Sequence, residues 1–450
     1  MELSPEQEQA LTAFKERSNL FLTGPGGTGK TALIKQMVEY CKSSGRKVQV
    51  CALTGCAAVI LNCQAKTVHS WSGIGLANGS NEYIMRKVYA NKYKSSQWKK
   101  IDVLIIDEVS MMSQKIFEVL DIIGRKVRPG GAHLPFGGLQ LVFSGDFYQL
   151  PPVMREEDKV SDPTAAAFCF ESPQWSTTFQ TIIQLKKIFR QTDQAYTTIL
   201  NQIRVGKLYK SSLDILTPHI GKTLPENFVP TILLPRRKDA ELVNTAELAK
   251  LTGEEHIYKI SSAASILEMA QKNTAASKKV DAIKKEKITP EQQEFEMQYL
   301  MNSIMADKEI VLKKGAQVMC IVNLDMERSE PIVNGSQGIV IDFVGGLPLI
   351  QFNNGARQTV GYHVWTSEHH QTIGVQQLPL IYAWAITIHK AQGVSLDMAQ
   401  IDAGSNIFEC GQTYVALSRI KSLDGLYLTA FNPQKIKVNK KVQEFYAALL

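Results

Sequence analysis

The chain has 450 residues, a formal net charge of +7, and 44% hydrophobic and 21% charged residues. This length and composition are typical of a globular, soluble protein with about three domains. No apolar run reaches the roughly 18 residues that a membrane-spanning helix needs, and residues 1–17 lack the apolar core of a signal peptide, which excludes an integral membrane protein.

The first predicted helix begins within residues 3–7. Ser4 is expected to be its N-cap, Pro5 takes the first helical position, and Gln7 follows at the position that completes a capping box. A glutamine just before a nucleotide-binding loop can instead recognise the edge of an adenine through its side-chain amide. Gln7 therefore has a complete structural interpretation and a functional one.

Residues 24–31 match G-x-x-x-x-G-K-[ST], the pattern of a phosphate-binding loop. The apolar residues 20–22 predict a buried strand before it, and a helical pattern follows it as far as Gly45. Lys30 would reach the β- and γ-phosphates, and the Thr31 hydroxyl would ligate Mg²⁺. An ordinary glycine-rich turn is the alternative. The residues of this loop expected to bind the nucleotide are Gly24, Gly26, Gly27, Thr28 and Gly29, because glycines let the loop turn backbone N–H groups inward.

A second core strand is predicted at residues 48–53, and small residues with one hydroxyl follow it at 54–58. Such a strand end lets a ligand approach the backbone closely, although a tight turn into a helix explains the same residues. The sequence Thr-Val-His-Ser-Trp comes next, at residues 67–71. A lone histidine such as His69 is more often structural than functional.

The segment 83–100 combines basic and aromatic residues and holds no acidic residue. Its basic residues are Arg86, Lys87, Lys92, Lys94, Lys99 and Lys100, and its aromatic residues are Tyr83, Tyr89, Tyr93 and Trp98. Cations for phosphates and rings for bases suit a nucleic-acid strand. A solvated helix face with some packed aromatic rings explains the same composition, and the sequence alone does not separate these two interpretations.

The apolar run 103–106 predicts a strand buried on both faces of a sheet, and it ends in Asp107-Glu108. Two adjacent carboxylates at the end of a buried strand are costly unless a cation binds there. In a protein with a phosphate loop, Asp107 would complete the Mg²⁺ shell and Glu108 would polarise the attacking water. A helix start decorated with acidic residues explains one carboxylate better than two. The pair therefore favours hydrolysis of a nucleoside triphosphate.

Another short core strand is predicted at 139–143, and the chain after it, residues 144–152, ends in two prolines. Gly145 allows the turn, and the prolines stiffen the exit so that Gln149 would lie near the γ-phosphate. An ordinary polar turn residue is the alternative for Gln149. Strand–helix units with ligand residues at the strand ends predict an α/β domain with a parallel sheet.

The second half of the chain predicts another α/β domain with a large insertion. Residues 254–310 are rich in Lys, Glu, Gln, Ala and Ser, which favours a solvated helical excursion, and residues 311–360 predict a small β-barrel with Asn-Gly turns. The predicted domains are residues 1–177, with an insert at about 70–100; residues 178–253 with 378–450; and an inserted region at 254–377.

The seven cysteines include no C-x-x-C pair. Cys51, Cys56 and Cys63 lie close together in sequence, but no matching histidine or second cysteine pair accompanies them, so no zinc site is expected. The odd number and the apolar surroundings of the cysteines indicate buried thiols. We therefore expect an intracellular, reducing compartment.

One phosphate loop, one Asp-Glu pair and two distant arginines, Arg190 and Arg419, indicate a site divided between two domains. Hydrolysis of a γ-phosphate gains about 10³-fold or more from an arginine delivered across a cleft. If the arginines belong to the second domain, nucleotide binding would close the cleft, and hydrolysis with product release would open it. With a nucleic-acid strand bound across both domains, that cycle would give a stepping motor.

The order of these motifs resembles that of superfamily-one helicases, in the Pif-type branch close to RecD-like and phage Dda-like helicases. The matching segments are 3–7, 24–31, 54–58, 67–70, 106–108, 145–152, 189–191, 388–393 and 415–419. The resemblance extends over residues 3–426 and is most characteristic at 67–75 and 175–191. It departs from the family at Trp71, where phenylalanine is more usual. The long terminal extensions of most members have no counterpart here, so the resemblance implies a minimal or a trimmed motor.

The resemblance implies two RecA-like domains, a wedge-bearing insert near residues 70–100, an SH3-like barrel, and ATP and Mg²⁺ as cofactors. It also implies 5′→3′ movement on single-stranded DNA and unwinding at single-strand–duplex junctions, by a motor that acts as a monomer, with oligomers on DNA left open. The implied nucleotide residues are Gln7 for adenine, Lys30 with Thr31 and Asp107 for phosphate and magnesium, Glu108 as base, Gln149 as γ-phosphate sensor, Arg190 and Arg419 as arginine fingers, and Gln392 and Gly393 at the border of the nucleotide. The residues expected to act on DNA are Thr54, His69, His389 and Lys390 along the strand, and Lys92 and Lys94 in the insert.

Two other functions remain open on the sequence. A phosphotransferase explains residues 24–31 but leaves Arg419 and the basic insert unexplained, and a phosphorylated small-molecule product would support it. A DNA-binding protein with a vestigial nucleotide site has no need of Glu108. ATP turnover indistinguishable from that of Glu108→Gln would support that function.

Overall fold

The structure is a computed structural model that describes residues 3–61, 63, 65–75, 77–152, 162–224, 230–264, 290–324, 330–367 and 373–449. The chain forms two compact units, residues 1–236 with 387–450 and residues 237–386. Much of the charged part of the predicted helical excursion, residues 265–289, lies outside the described residues.

The elements are numbered along the chain. The helices are α1 Pro5–Lys15, α2 Lys30–Ser43, α3 Gly55–Leu61, α4 Val68–Ser72, α5 Asn81–Ala90, α6 Lys92–Lys100, α7 Gln114–Val127, α8 Trp175–Thr178, α9 Gln194–Arg204, α10 Lys210–Leu216, α11 Arg237–Lys250, α12 Pro290–Ser303, α13 Gln412–Leu417 and α14 Lys440–Ala447. The strands are β1 Leu20–Thr23, β2 Val48–Ala52, β3 Lys66–Thr67, β4 Val103–Asp107, β5 Gln140–Gly145, β6 Thr181–Gln184, β7 Ile232–Leu234, β8 His256–Lys259, β9 Ser261–Ala264, β10 Glu309–Leu312, β11 Gln317–Cys320, β12 Gln337–Val344, β13 Leu347–Phe352, β14 Arg357–Thr359, β15 His363–Thr366, β16 Ile373–Gln377, β17 Leu380–Tyr382, β18 Ala385–Thr387, β19 Ala399–Ala403 and β20 Leu426–Phe431. No helix within the described residues is both long and apolar enough to cross a membrane.

The first sheet is parallel, with the strand order β3-β2-β4-β5-β1-β6. Strands β1, β4 and β5 are buried along their whole length, as their apolar runs predicted, because helices cover both faces. Along β1, Phe21 packs into one hydrophobic core, while Leu20 and Leu22 pack into the core on the opposite face. Because the carboxyl ends of parallel strands share one edge, the phosphate loop after β1 lies near Asp107 at the end of β4.

A second parallel sheet in the same unit contains β7, β19 and β20, in that order. Helix α9 packs against α13, where the Tyr196 hydroxyl donates to Leu417 O at 2.7 Å. The predicted fold class, α/β with two parallel sheets, is confirmed. Both sheets belong to one compact unit.

The second domain was predicted to start at residue 178, and strand β6 shows that this boundary is wrong. Its residues pair in parallel with β1, so β6 is the edge strand of the first sheet. After β6, Leu185 N–H donates to Thr23 O and Phe189 N–H donates to Gly27 O, each at 2.8 Å. The apolar pattern predicted a strand but not its partner, because every strand of a parallel sheet presents the same kind of pattern.

The last helix, α14, departs from the predicted assignment of residues 378–450 to the second domain. Tyr446 packs into the core of the first sheet, and its hydroxyl hydrogen-bonds with Thr23 Oγ1 at 2.6 Å. Phe445 stacks on Phe170, with ring centroids 4.5 Å apart. The chain therefore returns to the first sheet after β20. Phe445 and Tyr446 make that contact because their rings are removed from water against the core of the first sheet.

The second unit is mainly antiparallel. Its sheets have the orders β14-β13-β12-β11-β17 and β15-β16-β9, and β8 pairs with β10. Antiparallel strands thus occupy the region of the predicted barrel. The predicted helical excursion at 254–310 is wrong at both ends, where β8, β9 and β10 lie, and α12 is its helical part. Strand β8 deeply buries only Tyr258, so it lacks the apolar run that marks a core strand.

Candidate active site

The phosphate loop runs from the carboxyl end of β1 to α2, as the sequence predicted. Two of its glycines are required by their surroundings. A Cβ on Gly24, which has φ 145°, would lie 2.5 Å from Leu185 O, and a Cβ on Gly27, which has φ 85°, would lie 2.6 Å from Arg190 Cβ. Any side chain at these positions would collide with the chain that follows β6. The close approach of that chain therefore fixes both residues as glycine.

A cavity of about 600 Å³ opens beside this loop. The predicted residues that line it are Gly26, Gly27, Thr28, Gly29, Lys30, Thr31, Asp107, Glu108, Gln149, Arg190, Gly393 and Arg419. The lining residues to which the sequence assigned no role are Ala32, Lys35, Ala57, Phe189, Ser395 and Lys421. Lys35 lies one helical turn after Thr31 on α2, so helical spacing was the available signal. The cavity concentrates cationic and acidic groups in the manner that a nucleoside triphosphate with a metal ion requires.

The Lys30 ammonium is held by its own loop. Its Nζ donates to Gly24 O at 2.7 Å and to Pro25 O at 3.0 Å. Burial lowers the pKa of Lys30, and the nearby carboxylates oppose that shift. A phosphate in the cavity would gain a charge-assisted hydrogen bond from this ammonium.

Asp107 ends β4 and is only 5% exposed. Burial, and after it the charge of Glu108, raises the pKa of Asp107 to about 6. A cation would relieve this cost of ionisation, and the Asp107 carboxylate and Thr31 hydroxyl are oxygen donors of the kind that Mg²⁺ prefers. The described part of the chain contains no group of three or more His, Cys, Asp or Glu side chains suited to hold a metal. The Asp107 carboxylate and the Thr31 hydroxyl would be the residues that hold such an ion.

Glu108 has a left-handed backbone, with φ 57° and ψ 38°. Gln392 Nε2 donates to Glu108 Oε2 at 3.0 Å. The structure thus places the Gln392 amide against this carboxylate. Of the two residues predicted at the border of the nucleotide, Gly393 lines the cavity and Gln392 does not. The Gln392 amide thus holds the carboxylate of Glu108, whose role as base stays a prediction.

Arg190 and Arg419 approach the same loop residue. A Cβ on Gly26 would lie 3.7 Å from Arg190 Nη1 and 3.6 Å from Arg419 Nη2. Burial, and after it the charge of Arg190, lowers the pKa of Arg419 to about 9. An anion between the two guanidinium groups would relieve their repulsion. The expectation that both come from the second domain does not hold, because Arg190 follows β6 of the first sheet and only Arg419 follows α13.

Gln149 lies at the cavity, 5% exposed, and its N–H donates to Asp146 O at 2.8 Å. The Asp146 carboxylate is fully buried and accepts hydrogen bonds from Arg204 Nε at 2.8 Å and Nη2 at 2.7 Å. The Arg204 guanidinium also lies 4.5 Å from the centroid of the Tyr148 ring and 5.5 Å from that of Tyr446. Sequence reasoning missed Arg204, because a single arginine in a helix carries no distinguishing pattern.

Gln7 makes the contacts of a capping box. Its N–H donates to Ser4 Oγ at 3.3 Å, and its Oε1 accepts from Ser4 N–H at 2.9 Å. Its Nε2 donates to Thr28 O in the phosphate loop at 3.2 Å. The structural interpretation is therefore present, and it joins α1 to the loop. Recognition of adenine by Gln7 stays a prediction.

The residues implied for the DNA strand lie at helix starts and turns. The Thr54 hydroxyl accepts a hydrogen bond from the α3 backbone at 3.2 Å. Burial lowers the pKa of His69 and of His389, so both rings are neutral near pH 7. Lys390 is partly buried in the turn after β18. Contact with DNA stays a prediction for all four residues.

The basic insert corresponds to α5 and α6, and it has an exposed side. Tyr83, Tyr89 and Tyr93 are 62%, 51% and 43% exposed, and Lys92 is exposed beside them. The composition of this side fits the nucleic-acid interpretation, which stays a prediction for Lys92.

The other side of the insert is part of the core. Lys94 is 3% exposed, and its Nζ donates to Ser70 O at 2.7 Å and to Trp71 O at 3.4 Å. The fully buried Trp98 ring lies 4.7 Å from the Trp71 ring, and Trp98 Nε1 donates to Ser72 O at 3.1 Å. The prediction that Lys94 acts on DNA does not hold, because its ammonium is enclosed by the carbonyls of α4.

Comparisons with known proteins show which family this chain resembles. The model of the family "PIF1-like helicase" matches residues 2–212, and that of the "DNA helicase Pif1, 2B domain" matches residues 297–343. The chain is 34% identical to the ATP-dependent DNA helicase PIF1 of Xenopus laevis, over 99% of this chain and 64% of that protein. It therefore spans somewhat less than two thirds of that curated relative.

Solved structures match over the whole chain. The crystal structure of Pif1 helicase from Candida albicans has a TM-score of 0.79 and 34% identity, and the match covers 100% of both chains. Pif1 helicase from Bacteroides, in complex with ADP-AlF3 and ssDNA, has a TM-score of 0.68 and 27% identity over 100% of this chain and 97% of that one.

Proposed function

We propose, from the premise that this chain belongs to the PIF1-like helicase family, that it is an ATP-dependent DNA helicase. It moves 5′→3′ along single-stranded DNA and unwinds duplex DNA at single-strand–duplex junctions. The observation that carries this proposal is the convergence in one cavity of a phosphate loop, an acidic pair and an arginine, Arg419, from the segment between β19 and β20 of the second sheet. Such a set supports hydrolysis, whereas binding alone requires only the loop.

The proposed chemistry is attack of water on the γ-phosphate of ATP. Glu108 accepts the proton as the water oxygen bonds to phosphorus, and the bond from phosphorus to the β–γ bridging oxygen breaks to leave ADP and phosphate. Lys30 binds the β- and γ-phosphates, while Arg190 and Arg419 stabilise the developing charge. Gln149 senses the γ-phosphate.

Thr31 and Asp107 would hold a magnesium ion, which neutralises charge on the phosphates. The phosphate loop and Gly393 surround the triphosphate, and Gln7 recognises adenine. The rise in the Asp107 pKa supports a cation at this position.

Single-stranded DNA is the proposed track, and the ssDNA complex of the Bacteroides relative supports it. The residues proposed to contact the strand are Thr54, His69, His389 and Lys390, with Lys92 in the insert at the junction. The proposed motor is a monomer, with assembly into oligomers on DNA left open, and its proposed compartment is intracellular and reducing.

Strand displacement tests this function. Duplexes with a 5′ or a 3′ single-stranded tail are incubated with the protein and either ATP or a non-hydrolysable analogue. We expect displacement only with ATP and only from the 5′-tailed duplex, and ATP turnover stimulated by single-stranded DNA. Lys30→Ala should abolish turnover and displacement, because the phosphates lose their main cationic ligand.

Lys42→Ala is the matched control. Lys42 lies on the same helix as Lys30, but it is exposed and pairs with Glu39 at 2.7 Å, so its removal should leave turnover unchanged. Displacement that survives Lys30→Ala would contradict the proposed function. Displacement from the 3′-tailed duplex alone would contradict the proposed polarity.

A further inference from the structure

Helix α13 carries a tyrosine that contacts the phosphate loop. Tyr414 is 2% exposed, and its hydroxyl accepts a hydrogen bond from Gly26 N–H at 2.8 Å. Gly26 belongs to the loop that follows β1 of the first sheet, whereas α13 packs against β19 of the second sheet. This bond therefore joins the two sides of the nucleotide cavity through one backbone atom.

Helix α13 is held firmly in place. All six of its residues are buried. At its start, a Cβ on Gly411 would lie 2.5 Å from both Tyr148 O and Gln149 O, so the helix presses directly on the chain that bears the γ-phosphate sensor. Just after its end, Gln191 Nε2 donates to Ser418 O at 3.3 Å and to Ile420 O at 3.0 Å. The tyrosine hydroxyl is thus presented to Gly26 from a fixed support.

The same helix positions an arginine of the site. Arg419 Nε donates to Val415 O at 2.9 Å, and Arg419 Nη2 donates to Ser418 Oγ at 2.8 Å. These bonds fix the guanidinium relative to α13. Because a Cβ on Gly26 would lie 3.6 Å from both Tyr414 Oη and Arg419 Nη2, the two side chains reach the loop at the same residue.

The tyrosine acts as a neutral group behind the loop. Burial raises the pKa of Tyr414 to about 12, so the phenol keeps its proton at neutral pH. Tyr414 is absent from the cavity lining formed by the described residues, whereas Gly26 and Arg419 belong to it. The hydroxyl therefore acts on the nucleotide from behind the cavity wall, where Gly26 and Arg419 are its neighbours at the loop. Loss of its oxygen would leave a backbone N–H without this acceptor, which is costly inside a protein.

We propose that Tyr414 is a positioning residue that fixes where the Arg419 guanidinium lies relative to the phosphate loop. Arg419 meets the γ-phosphate in its productive place when Gly26 N–H is bound to the Tyr414 hydroxyl. The hydrogen bond thereby makes arginine delivery depend on correct docking of the two sides of the cavity. This inference rests on the ATP hydrolysis proposed above.

The test compares Tyr414→Phe with Tyr196→Phe in the full chain. Tyr414→Phe keeps the ring and removes only the oxygen. For this variant we expect kcat of DNA-stimulated ATP hydrolysis to fall about ten-fold, with KM for ATP changed less than about two-fold. The affinity for ADP with aluminium fluoride, a transition-state mimic, should fall in parallel while the affinity for ADP alone stays unchanged.

Tyr196→Phe is the matched control, because it removes an equally buried hydroxyl that bonds Leu417 O of α13 and does not reach the loop. It should leave the ratio of the two affinities unchanged. Equal loss of that ratio in both variants would mean that general support of the helix is responsible, and would overturn the inference. ADP binding and a thermal melt of each variant establish that the site is folded.

A double-mutant cycle gives a second measurement. If Tyr414 acts through Arg419, Tyr414→Phe should cost little further kcat in an Arg419→Lys background. Full additivity would overturn the inference. Wild-type ATP turnover distinguishes failure of this inference from failure of the proposed function. If the wild type hydrolyses ATP and Tyr414→Phe has the same kcat, only the inference fails. A wild type without ATP turnover contradicts the proposed function itself.

Discussion

The nucleotide cavity and the basic insert invite comparison, because both were inferred from residue types. In the cavity, residues from distant segments of the chain converge around one loop, and nearly all the predicted ones line it. In the insert, residues that are close in sequence differ in burial. Lys92 is exposed, whereas Lys94, on the same helix, is buried beneath it.

The difference lies in what the sequence specifies. A phosphate loop or an acidic pair at a strand end has one geometric outcome, because parallel strands bring their carboxyl ends to one edge. A mixture of Lys and Tyr on a helix has two outcomes, because its period of 3.6 residues turns successive residues toward solvent or toward the core. Motifs with fixed spacing therefore predict sites, and composition predicts only candidates.

The largest expected effect concerns the two arginines of the nucleotide cavity. Arg419→Ala should lower kcat of ATP hydrolysis about 10³-fold, since its charge serves the transition state. Arg190→Ala should act substantially on KM as well, because Arg190 follows Phe189, whose N–H is bonded to Gly27 O of the loop. Steady-state ATPase assays at saturating single-stranded DNA measure both constants.

Arg237→Ala is the control for removing an arginine, since that side chain is 80% exposed and forms an ion pair with its helical neighbour Glu241. A loss of kcat alone in both Arg190→Ala and Arg419→Ala would show that the two arginines serve the same step. That result would contradict the expectation that Arg190, which follows β6 of the first sheet, also contributes to KM.

A smaller effect tests the buried side of the insert. Lys94→Met keeps most of the apolar stem but leaves Ser70 O and Trp71 O without the ammonium, so it should lower the free energy of unfolding by about 1–3 kcal/mol. Lys92→Met should change it by less than about 0.5 kcal/mol, because that side chain is exposed. Denaturant titration of both variants measures the difference, and equal stability would contradict the structural assignment of Lys94.

The smallest effect concerns the exposed side. If Lys92 contacts a phosphate, Lys92→Ala should weaken single-stranded DNA binding several-fold and reduce the slope of log K against log salt by about 0.7. Fluorescence anisotropy across a salt series measures this slope. Lys441, an exposed lysine on α14 that pairs with Glu171, provides the control as Lys441→Ala. An unchanged slope for Lys92→Ala would assign the exposed side a function other than strand binding.

Much of the first sheet could be predicted from the sequence, because each core strand is a short apolar run followed by a motif. The partner of β6 could not be predicted, since pairing depends on which edge is free once the other strands have assembled. The same limit applies to Tyr446, whose ring packs on a sheet far away in sequence. Contacts at long sequence separation, such as Gln392 with Glu108, leave no local pattern to detect.

The left-handed backbone of Glu108 has a consequence for protein engineering. A non-glycine residue in this conformation costs about 1–2 kcal/mol, and glycine would relieve that strain. A search for heat-resistant variants would therefore favour Glu108→Gly over Glu108→Ala, yet either change removes the proposed base. Optimising this protein by thermal selection alone would drive the chain toward well-folded forms that bind ATP and leave it intact.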